Sequence, residues 1–347
     1  MSTARTLLIG ITGNSVVHTD ADQFDLETRF RMVRDAGVFD YYERSPPPGE
    51  LDAHLRMSER YGLPIRAGGF YYTLGRDEAL LDWHLHIGQA LGAKVQNVQL
   101  SHLDAQGVAL TDERVADAYL RAFETGAALG VTPCFEVHVN MWSEHFGRVE
   151  RVADLVERAG SRFSMTLDAS HVIFKIGNPR EQAVQGMRDD VIAGRLVLDP
   201  FDSRSVTERW IGRDLVGHAH ARPAAPNNPI NVWGKHPDGK PGRGIQFPFT
   251  RPPPNTWHAE WNEAALAPWK QVMLSLLKHH ATRGSRAELH ISTEIIPFAD
   301  YGAGARYSLF ADSVACAVWL RSSWNATCAA APATLESHAV ESHAVSH

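Results

Sequence analysis

The sequence predicts a (β/α)₈ barrel, an α/β fold in which eight parallel strands alternate with helices. Apolar, strand-like segments alternate with helix-like segments eight times along the chain. The strand segments are too apolar to leave one face in water, as expected for a parallel sheet covered by helices. The turn after the first strand, Gly13-Asn14-Ser15-Val16, lacks the glycine-rich nucleotide loop that a doubly wound open sheet carries there.

The predicted strands are short runs of β-branched and aromatic residues. The first is the run Thr6-Leu7-Leu8-Ile9-Gly10-Ile11, which follows a short polar lead. The eight strands are placed at residues 7–12, 39–43, 64–72, 94–100, 131–139, 163–167, 214–219 and 289–295. A crossover helix after each strand keeps consecutive strands parallel.

The helices are predicted from apolar positions at helical spacing and from their end signals. In the first helix Leu26 and Phe30 share one face, and Gly37 ends it. Thr111 and Asn178 are good N-caps for later helices. The helices are placed at residues 26–36, 51–61, 77–91, 111–130, about 149–156, from 178, 263–280 and 306–319.

Residues 1–328 are assigned to one barrel domain with two insertions, at about 195–213 and at 221–262. A structureless loop as long as the second insertion is usually functional or disordered. Its five Trp and Phe residues predict packing, so we expect it to form a lid beside the barrel mouth. The tail, 329–347, contains a near-repeat of Glu-Ser-His-Ala-Val and is predicted to be disordered.

Composition and charge limit the functions open to the chain. Of its 347 residues 44% are hydrophobic and 21% charged, as in ordinary globular proteins. Acidic side chains outnumber basic ones by 40 to 34, and the net charge of −6 disfavours nucleic acid as a partner. Three cysteines predict neither a disulfide framework nor a cysteine-rich zinc site. Without a signal peptide or an apolar run of roughly 18 to 20 residues, we expect a cytoplasmic protein with no membrane contact.

Polar residues stand at the predicted carboxyl ends of four neighbouring strands, where barrels of this type place their active sites. They are Glu136, Asp168, His220 and Glu294, after strands five, six, seven and eight. Buried carboxylates that converge on one point repel one another unless a cation compensates them. Three carboxylates and one histidine suit a single divalent ion, for which we expect Mn²⁺, with Mg²⁺, Co²⁺ and Zn²⁺ as alternatives.

The ordered motifs resemble those of the xylose isomerase-like TIM barrels, which include ketose 3-epimerases, hydroxypyruvate isomerases and inosose dehydratases. Over residues 6–325 the matching order is Glu136, Asp168-x-x-His171, His218-x-His220, Pro241-Gly242-Arg243-Gly244 and Glu294. The resemblance implies that Glu136, Asp168, His220 and Glu294 bind one divalent ion and that His171 contacts substrate oxygens. It further implies proton abstraction next to the carbonyl of a sugar or keto-sugar. Glu136 and Glu294 would then remove and return the proton from opposite faces, while the metal stabilises the ene-diolate.

His138 departs from the epimerase pattern. It lies two residues after Glu136, so strand alternation predicts that both side chains face inward. A histidine there can act as a second acid or base, which an elimination could use. The Glu-x-His pattern also resembles the catalytic subunits of C-glycoside deglycosidases, which cleave 3-keto sugar C-glycosides. The alternative is a histidine held by a neighbour for structure alone.

Other residues near the barrel mouth are candidates for substrate contacts. Core or rim packing is the alternative for the aromatic ones, and solvation in a loop is the alternative for the charged ones. The predicted substrate-binding set is His171, His102, His218, Arg222, Arg243 and Trp142.

Several functions stay open at this stage. An isomerase or epimerase and a lyase, such as a C-glycoside deglycosidase or an inosose-type dehydratase, begin with the same proton abstraction. A non-catalytic barrel that binds a ligand or serves as a partner subunit is a different class. The chain could form a homo-oligomer or a hetero-complex with a small partner subunit.

The type IV apurinic endonucleases also use this barrel, but resemblance to them would require further histidines after strands two and three. The chain has Asp40-Tyr41-Tyr42-Glu43-Arg44 and Gly68-Gly69-Phe70-Tyr71-Tyr72 at those places, which contain no histidine. Together with the acidic net charge, this argues against DNA repair.

Overall fold

The computed structural model describes residues 5–330. Eight strands form a closed parallel barrel, as the sequence predicts: β1 (Thr6–Thr12), β2 (Tyr41–Glu43), β3 (Ile65–Tyr72), β4 (Val95–Leu100), β5 (Thr132–Glu136), β6 (Met165–Asp168), β7 (Val216–Ala221) and β10 (Glu288–Thr293). Around the barrel their order is β1-β10-β7-β6-β5-β4-β3-β2. The pairing of β1 with β10 closes it. A separate hairpin, β8 (Asn231–Lys235) and β9 (Pro241–Gly242), follows β7.

Helices connect the strands: α1 (Leu26–Ala36), α2 (Leu51–Tyr61), α3 (Glu78–Leu91), α4 (Asp112–Leu129), α5 (Gly147–Arg158), α6 (Ser170–Ile173), α7 (Pro179–Ala183), α8 (Arg188–Ile192), α9 (Val206–Gly212), α10 (Ala267–Thr282) and α11 (Leu309–Ala330). Their ends carry the predicted signals. Gly37 ends α1 in the left-handed conformation, where a residue without Cβ is unstrained. The Thr111 and Asn178 side chains accept hydrogen bonds from backbone N–H groups of the helices that follow them.

Inward side chains alternate along the strands and build the barrel interior in layers. Tyr41 lies across this interior because Gly10 on β1 has no side chain; a Cβ there would fall 2.3 Å from the Tyr41 ring. The Tyr41 hydroxyl and Ser292 Oγ form a hydrogen bond of 2.8 Å. Glu43 follows Tyr41 by two residues, so it shares the inward face and lies closer to the carboxyl end of β2.

Several predicted boundaries differ from the structure, and the last helix, predicted at 306–319, spans Leu309–Ala330. Strand β5 ends at Glu136 rather than at residue 139, because the chain turns at Asn140, whose φ is 63°. The segment 195–213 contains α9, whose Trp210 is fully buried, so this insertion contributes to the outer helix layer.

The C-terminal helix α11 continues to Ala330, two residues into the tail predicted to be disordered. The rest of that tail, 331–347, lies outside the described residues. Within residues 5–330 no helix combines the length and the apolar character needed to cross a membrane.

Candidate active site

The carboxyl ends of the strands surround a cavity of about 500 Å³, a volume in the usual range of ligand-binding pockets. Its polar lining includes His138, His220, Arg222 and Glu294 from β5, β7 and β10 and the residues that follow them. Apolar residues from the loops after β2 and β10, from β3 and from α3 complete the lining: Pro46, Pro47, Pro48, Phe70, Leu80, Trp83, Ile296 and Phe298.

The predicted lid at 221–262 is not confirmed, because Arg222 is the one residue of this insertion in the cavity lining. Every residue from 223 to 262 is described, and none of them lines the cavity. Phe247 and Trp257 of this segment are instead buried in the main hydrophobic core. The aromatic residues therefore account for packing, as predicted, but the cavity is bordered by other loops.

Glu136, Asp168, His220 and Glu294 come together within this region. One ligand atom from each of the four lies within 4.8 Å of the others, and all four residues are buried. Glu136 and Asp168 are the last residues of β5 and β6, and Glu294 follows the last residue of β10. Asp168 is paired in register with His220 on β7. The four residues that the sequence singled out thus form one cluster.

His220 occupies the middle of this cluster. Its Nδ1 lies 3.1 Å from Glu136 Oε1 and 2.9 Å from Glu294 Oε2. Its Nε2 lies 3.0 Å from Oε1 of Glu43, which reaches it from β2. Asn97 on β4 donates a hydrogen bond of 2.7 Å to the other oxygen of Glu136. An imidazole nitrogen that faces two carboxylates needs a proton or a metal cation between them.

Arg222 adds a permanent positive charge to the cluster. Its Nη1 lies 2.7 Å from Asp168 Oδ2, and its Nη2 donates to Glu294 Oε2. Its Nε also donates to the Glu294 carbonyl at 3.1 Å, so the Arg222 side chain binds both the main chain and the carboxylate of Glu294. Arg222 is 1% exposed, and Nη1 is 3.1 Å from His171 Nε2. The guanidinium therefore organises the region between Asp168 and Glu294.

The local charges set the protonation of the cluster. Burial raises the pKa of the Glu136 carboxyl, but the neighbouring positive charges and hydrogen bonds, those of His220 first among them, together outweigh burial, and the net pKa is about 2. For Asp168 burial also raises the pKa, but Arg222 and His171 together outweigh it and hold the pKa well below its usual value. Burial lowers the pKa of His220, yet the carboxylates, Glu294 first among them, raise it well above normal.

The donor set fits a divalent cation. Four buried carboxylates (Glu43, Glu136, Asp168 and Glu294) face one permanent positive charge, that of Arg222, and three histidines (His171, His218 and His220). The excess negative charge is compensated only when these histidines bind protons or a cation binds among the carboxylates. Carboxylate oxygens and an imidazole nitrogen are ligands that Mn²⁺, Mg²⁺, Co²⁺ and Zn²⁺ all accept. The residues present therefore suit one such ion.

His138 lines the cavity next to this cluster, although strand alternation is not the reason. Strand β5 has already ended at Glu136, and His138 lies in the turn that follows. Its Nδ1 is 2.6 Å from the Val139 carbonyl, to which it donates, and its Nε2 is 3.1 Å from the Tyr301 hydroxyl. Burial raises the pKa of Tyr301, so the phenol keeps its proton and donates it to His138. Tyr301 and His138 thus form a hydrogen-bonded pair in the cavity lining.

Several predicted substrate-binding residues do not line the cavity. His171 is fully buried beside His138, with ring centroids 4.1 Å apart. His218 is fully buried beside Glu43, with 3.3 Å between His218 Nε2 and Glu43 Oε2. Trp142 is 1% exposed and belongs to the main hydrophobic core. These three side chains are buried behind the residues that line the cavity.

Of the other three predicted contacts, Arg222 lines the cavity, and His102 and Arg243 lie in the loops around the mouth. His102 Nδ1 is 2.8 Å from the Asn140 carbonyl, so His102 holds the turn after β5. Arg243 pairs with Glu144 and Glu181 and does not line the cavity. Both residues connect neighbouring loops.

The structure adds three residues that the sequence prediction missed: Glu43, Asn97 and Tyr301. Glu43 stands at the carboxyl end of a predicted strand, as Asp168 does, so the same rule could have included it. Asn97 is one of three amide residues in β4, beside Gln96 and Gln99, which is a weaker signal. Tyr301 lies in the loop beyond β10, where no spacing rule applies.

Solved structures show what this fold resembles. The chain is similar to L-ribulose 3-epimerase at 14% identity and a TM-score of 0.55, over 95% of this chain and 100% of that chain. It is similar to 3-keto-D-glucoside 4-epimerase from E. coli at 13% identity and a TM-score of 0.52, over 91% and 100%. An IOLI protein with a bound zinc atom matches at 11% identity and a TM-score of 0.53, over 92% and 99%.

The chain has the TIM-barrel fold of these structures. This confirms the fold that the ordered motifs indicated. No protein-family model matches the chain, and comparison with curated proteins gives no match. At such low identity the similarity to these barrels concerns the fold, while activity has to be argued from the site.

Proposed function

We propose that the chain is a divalent-metal-dependent enzyme that abstracts a proton next to the carbonyl of a sugar or keto-sugar, as an isomerase or epimerase. The observation that carries this proposal is the convergence of Glu136, Asp168, His220 and Glu294 within 4.8 Å. The site lies at the carboxyl ends of barrel strands, where catalytic residues of this architecture lie. Two of the similar structures are named as sugar epimerases, which supports the proposed substrate class.

These four residues would hold the ion, with Mn²⁺ as the expected metal. Bound there, a divalent ion supplies Lewis-acid polarisation of a substrate carbonyl oxygen. Glu136 is ionised and buried, so it is able to accept a proton from carbon without competition from bulk water. Glu294 is 7% exposed and faces the cavity, which suits it to return the proton.

Arg222 and Asn97 would keep the two glutamates in place. Arg222 holds Glu294 through its carboxylate and its main-chain carbonyl. Asn97 holds one oxygen of Glu136 and leaves the other beside His220. Such hydrogen bonds orient a catalytic base before the substrate arrives, which lowers the cost of reaching the reactive geometry.

A lyase with the same first step is the second candidate, and the pair Tyr301–His138 favours it. In an elimination a carboxylate takes the proton from carbon, and the electron pair left behind forms a double bond and expels the leaving group. The leaving group then needs a proton. Tyr301 lines the cavity with a protonated hydroxyl that would supply this proton, and His138, hydrogen-bonded to that hydroxyl, is placed to exchange protons with it.

The metal content of the purified protein tests the proposal. After reconstitution with Mn²⁺ and desalting, wild type is expected to retain about one ion, and Asp168→Ala is expected to lose it. Keto-sugars incubated with the loaded enzyme in D₂O should then exchange a carbon-bound proton, as followed by NMR. If wild type retains no metal after this treatment and exchanges no proton, the result would favour a non-catalytic barrel that binds a ligand.

A further inference from the structure

Glu43 and His218 form a second polar group inside the barrel that the proposed reaction does not use. Glu43 is 4% exposed, and His218 is fully buried. The two oxygens of Glu43 diverge: Oε1 lies 3.0 Å from His220 Nε2, and Oε2 lies 3.3 Å from His218 Nε2. His218 Nδ1 lies 3.3 Å from Thr166 Oγ1 on β6. A buried carboxylate is costly unless such partners hold it.

The contact between Glu43 and His220 crosses the interior of the barrel. Glu43 ends β2 and His220 lies on β7, and these strands are not neighbours in the barrel. Gly69 on β3 lies beside the crossing carboxylate, and a Cβ at that position would be in van der Waals contact with Glu43 Oε1 at 3.5 Å. The carboxylate of Glu43 thus reaches His220 from the far side of the barrel.

The two nitrogens of His220 face different partners. Nδ1 faces Glu136 and Glu294, the proposed ion ligands, while Nε2 faces Glu43 alone among carboxylates. A neutral imidazole carries one N–H and one lone pair. If Nε2–H donates to Glu43, the lone pair belongs to Nδ1 and points towards the other carboxylates. The opposite tautomer would place two unprotonated acceptors, Nε2 and Oε1, 3.0 Å apart.

We propose that Glu43 is a positioning residue that fixes the tautomer and orientation of His220, so that Nδ1 is offered to the divalent ion. This inference rests on the proposed function because it needs that ion. A carboxylate that accepts the second N–H of a metal-binding histidine raises the basicity of the ring and holds its plane. His218 Nε2 lies 3.3 Å from the other Glu43 oxygen, a position that favours the orientation in which Oε1 is directed at His220.

The affinity for Mn²⁺ tests the role of Glu43 without any measurement of turnover. Titration calorimetry on the full chain should give a dissociation constant about 10- to 100-fold weaker for Glu43→Gln than for wild type. The absorption spectrum of the Co²⁺-loaded protein should also change, because the histidine would bind less firmly. Glu43→Ala should lose affinity in the same way, and added formate should restore part of it.

A matched control removes another buried carboxylate. Asp312 on α11 is 1% exposed and accepts hydrogen bonds from the backbone of Phe249 and Thr250, away from the His220 cluster. Asp312→Asn should lower the melting temperature yet bind Mn²⁺ as tightly as wild type. An equal loss of Mn²⁺ affinity in Asp312→Asn and Glu43→Gln would reduce the effect to general destabilisation and overturn the inference.

The outcomes separate this inference from the function on which it rests. Wild type that binds no Mn²⁺ overturns the proposed function and this inference together. Wild type that binds one ion, beside a Glu43→Gln variant of equal affinity, overturns the positioning role alone. Two ions per chain in wild type, with only one in Glu43→Gln, would make Glu43 a ligand of a second metal site and overturn its positioning role.

Discussion

Lys175 Nζ lies 2.8 Å from Glu144 Oε1, and neither side chain is exposed to solvent. The same carboxylate oxygen accepts a hydrogen bond of 2.6 Å from Arg243, which also pairs with Glu181. Burial lowers the pKa of Lys175, and the Glu144 charge opposes this. This group of four charges ties the loops after β5, β6 and β7 to one another beside the active site.

Lys175→Met is expected to destabilise the fold by about 3 kcal/mol, because it removes one partner of a buried ion pair. Chemical denaturation measures the change. Lys240→Met is the matched control, since Lys240 pairs with Asp238 on the surface and both side chains are exposed. The control should change stability little. Similar losses in both variants would contradict the role of burial.

His84 is expected to make stability depend on pH. Burial lowers the pKa of His84 to about 4, whereas the unfolded value is near 6.5. The unfolded chain therefore binds this proton first, and the contribution of His84 is complete above pH 6.5 and falls as pH decreases towards 4. With allowance for solvent screening the loss is about 1 to 2 kcal/mol.

His84→Gln tests this dependence and keeps an acceptor for the Tyr72 hydroxyl. The difference in unfolding free energy between pH 7 and pH 4.5 should be smaller in this variant than in wild type. His86→Gln, on the same helix but with an exposed side chain, should behave as wild type. A pH profile that is identical in wild type and His84→Gln would show that His84 titrates normally.

Glu136→Gln and Glu294→Gln are expected to reduce proton exchange between substrate and solvent by a factor of about 10² to 10⁴. Each substitution removes a base while it preserves the shape of the side chain. NMR in D₂O measures the exchange, and circular dichroism checks the fold. Wild-type exchange in either variant would remove that residue from the proton transfer.

Tyr301→Phe and His138→Asn distinguish the two proposed reaction classes. In a lyase both variants should slow release of the leaving group by a factor of about 10² or more, because the acid is lost or cannot be reprotonated. In an epimerase proton exchange should continue nearly unchanged. Mass spectrometry decides between them, since a lyase changes the mass of its substrate and an epimerase conserves it.

The sequence predicts the barrel and the central cluster for the same reason. Strand ends follow from apolar periodicity, and a parallel barrel brings the carboxyl ends of its strands to one face. Glu136, Asp168, His220 and Glu294 therefore converge once the strands are placed. No knowledge of side-chain conformation is needed for that step.

The contacts that Glu43 and Tyr301 make with the site cannot be predicted from local sequence patterns. Glu43 meets His220 across the barrel, and Tyr301 reaches His138 from a loop, so neither pair shares a strand or a fixed spacing. The apolar pattern places the end of β5 too late, because Val137 and Val139 look like strand residues in the sequence. In the structure both are buried, but they lie in the turn after the strand. Asn140 was the available signal, since asparagine adopts positive φ more readily than most residues.

Closure of the barrel joins the first strand to the last, from Thr6 beside Glu288 to Ile11 beside Thr293. The cluster draws on β5, β6, β7 and the end of β10, so the growing chain lacks a complete ligand set until its final strand has docked. An ion bound there would favour only the closed barrel, by about 2.7 kcal/mol at a concentration 100 times its dissociation constant. The metal would thus stabilise the folded protein as well as act on the substrate, because it would favour the closed state that the pairing of the first and last strands produces. That pairing is the most non-local contact of the barrel.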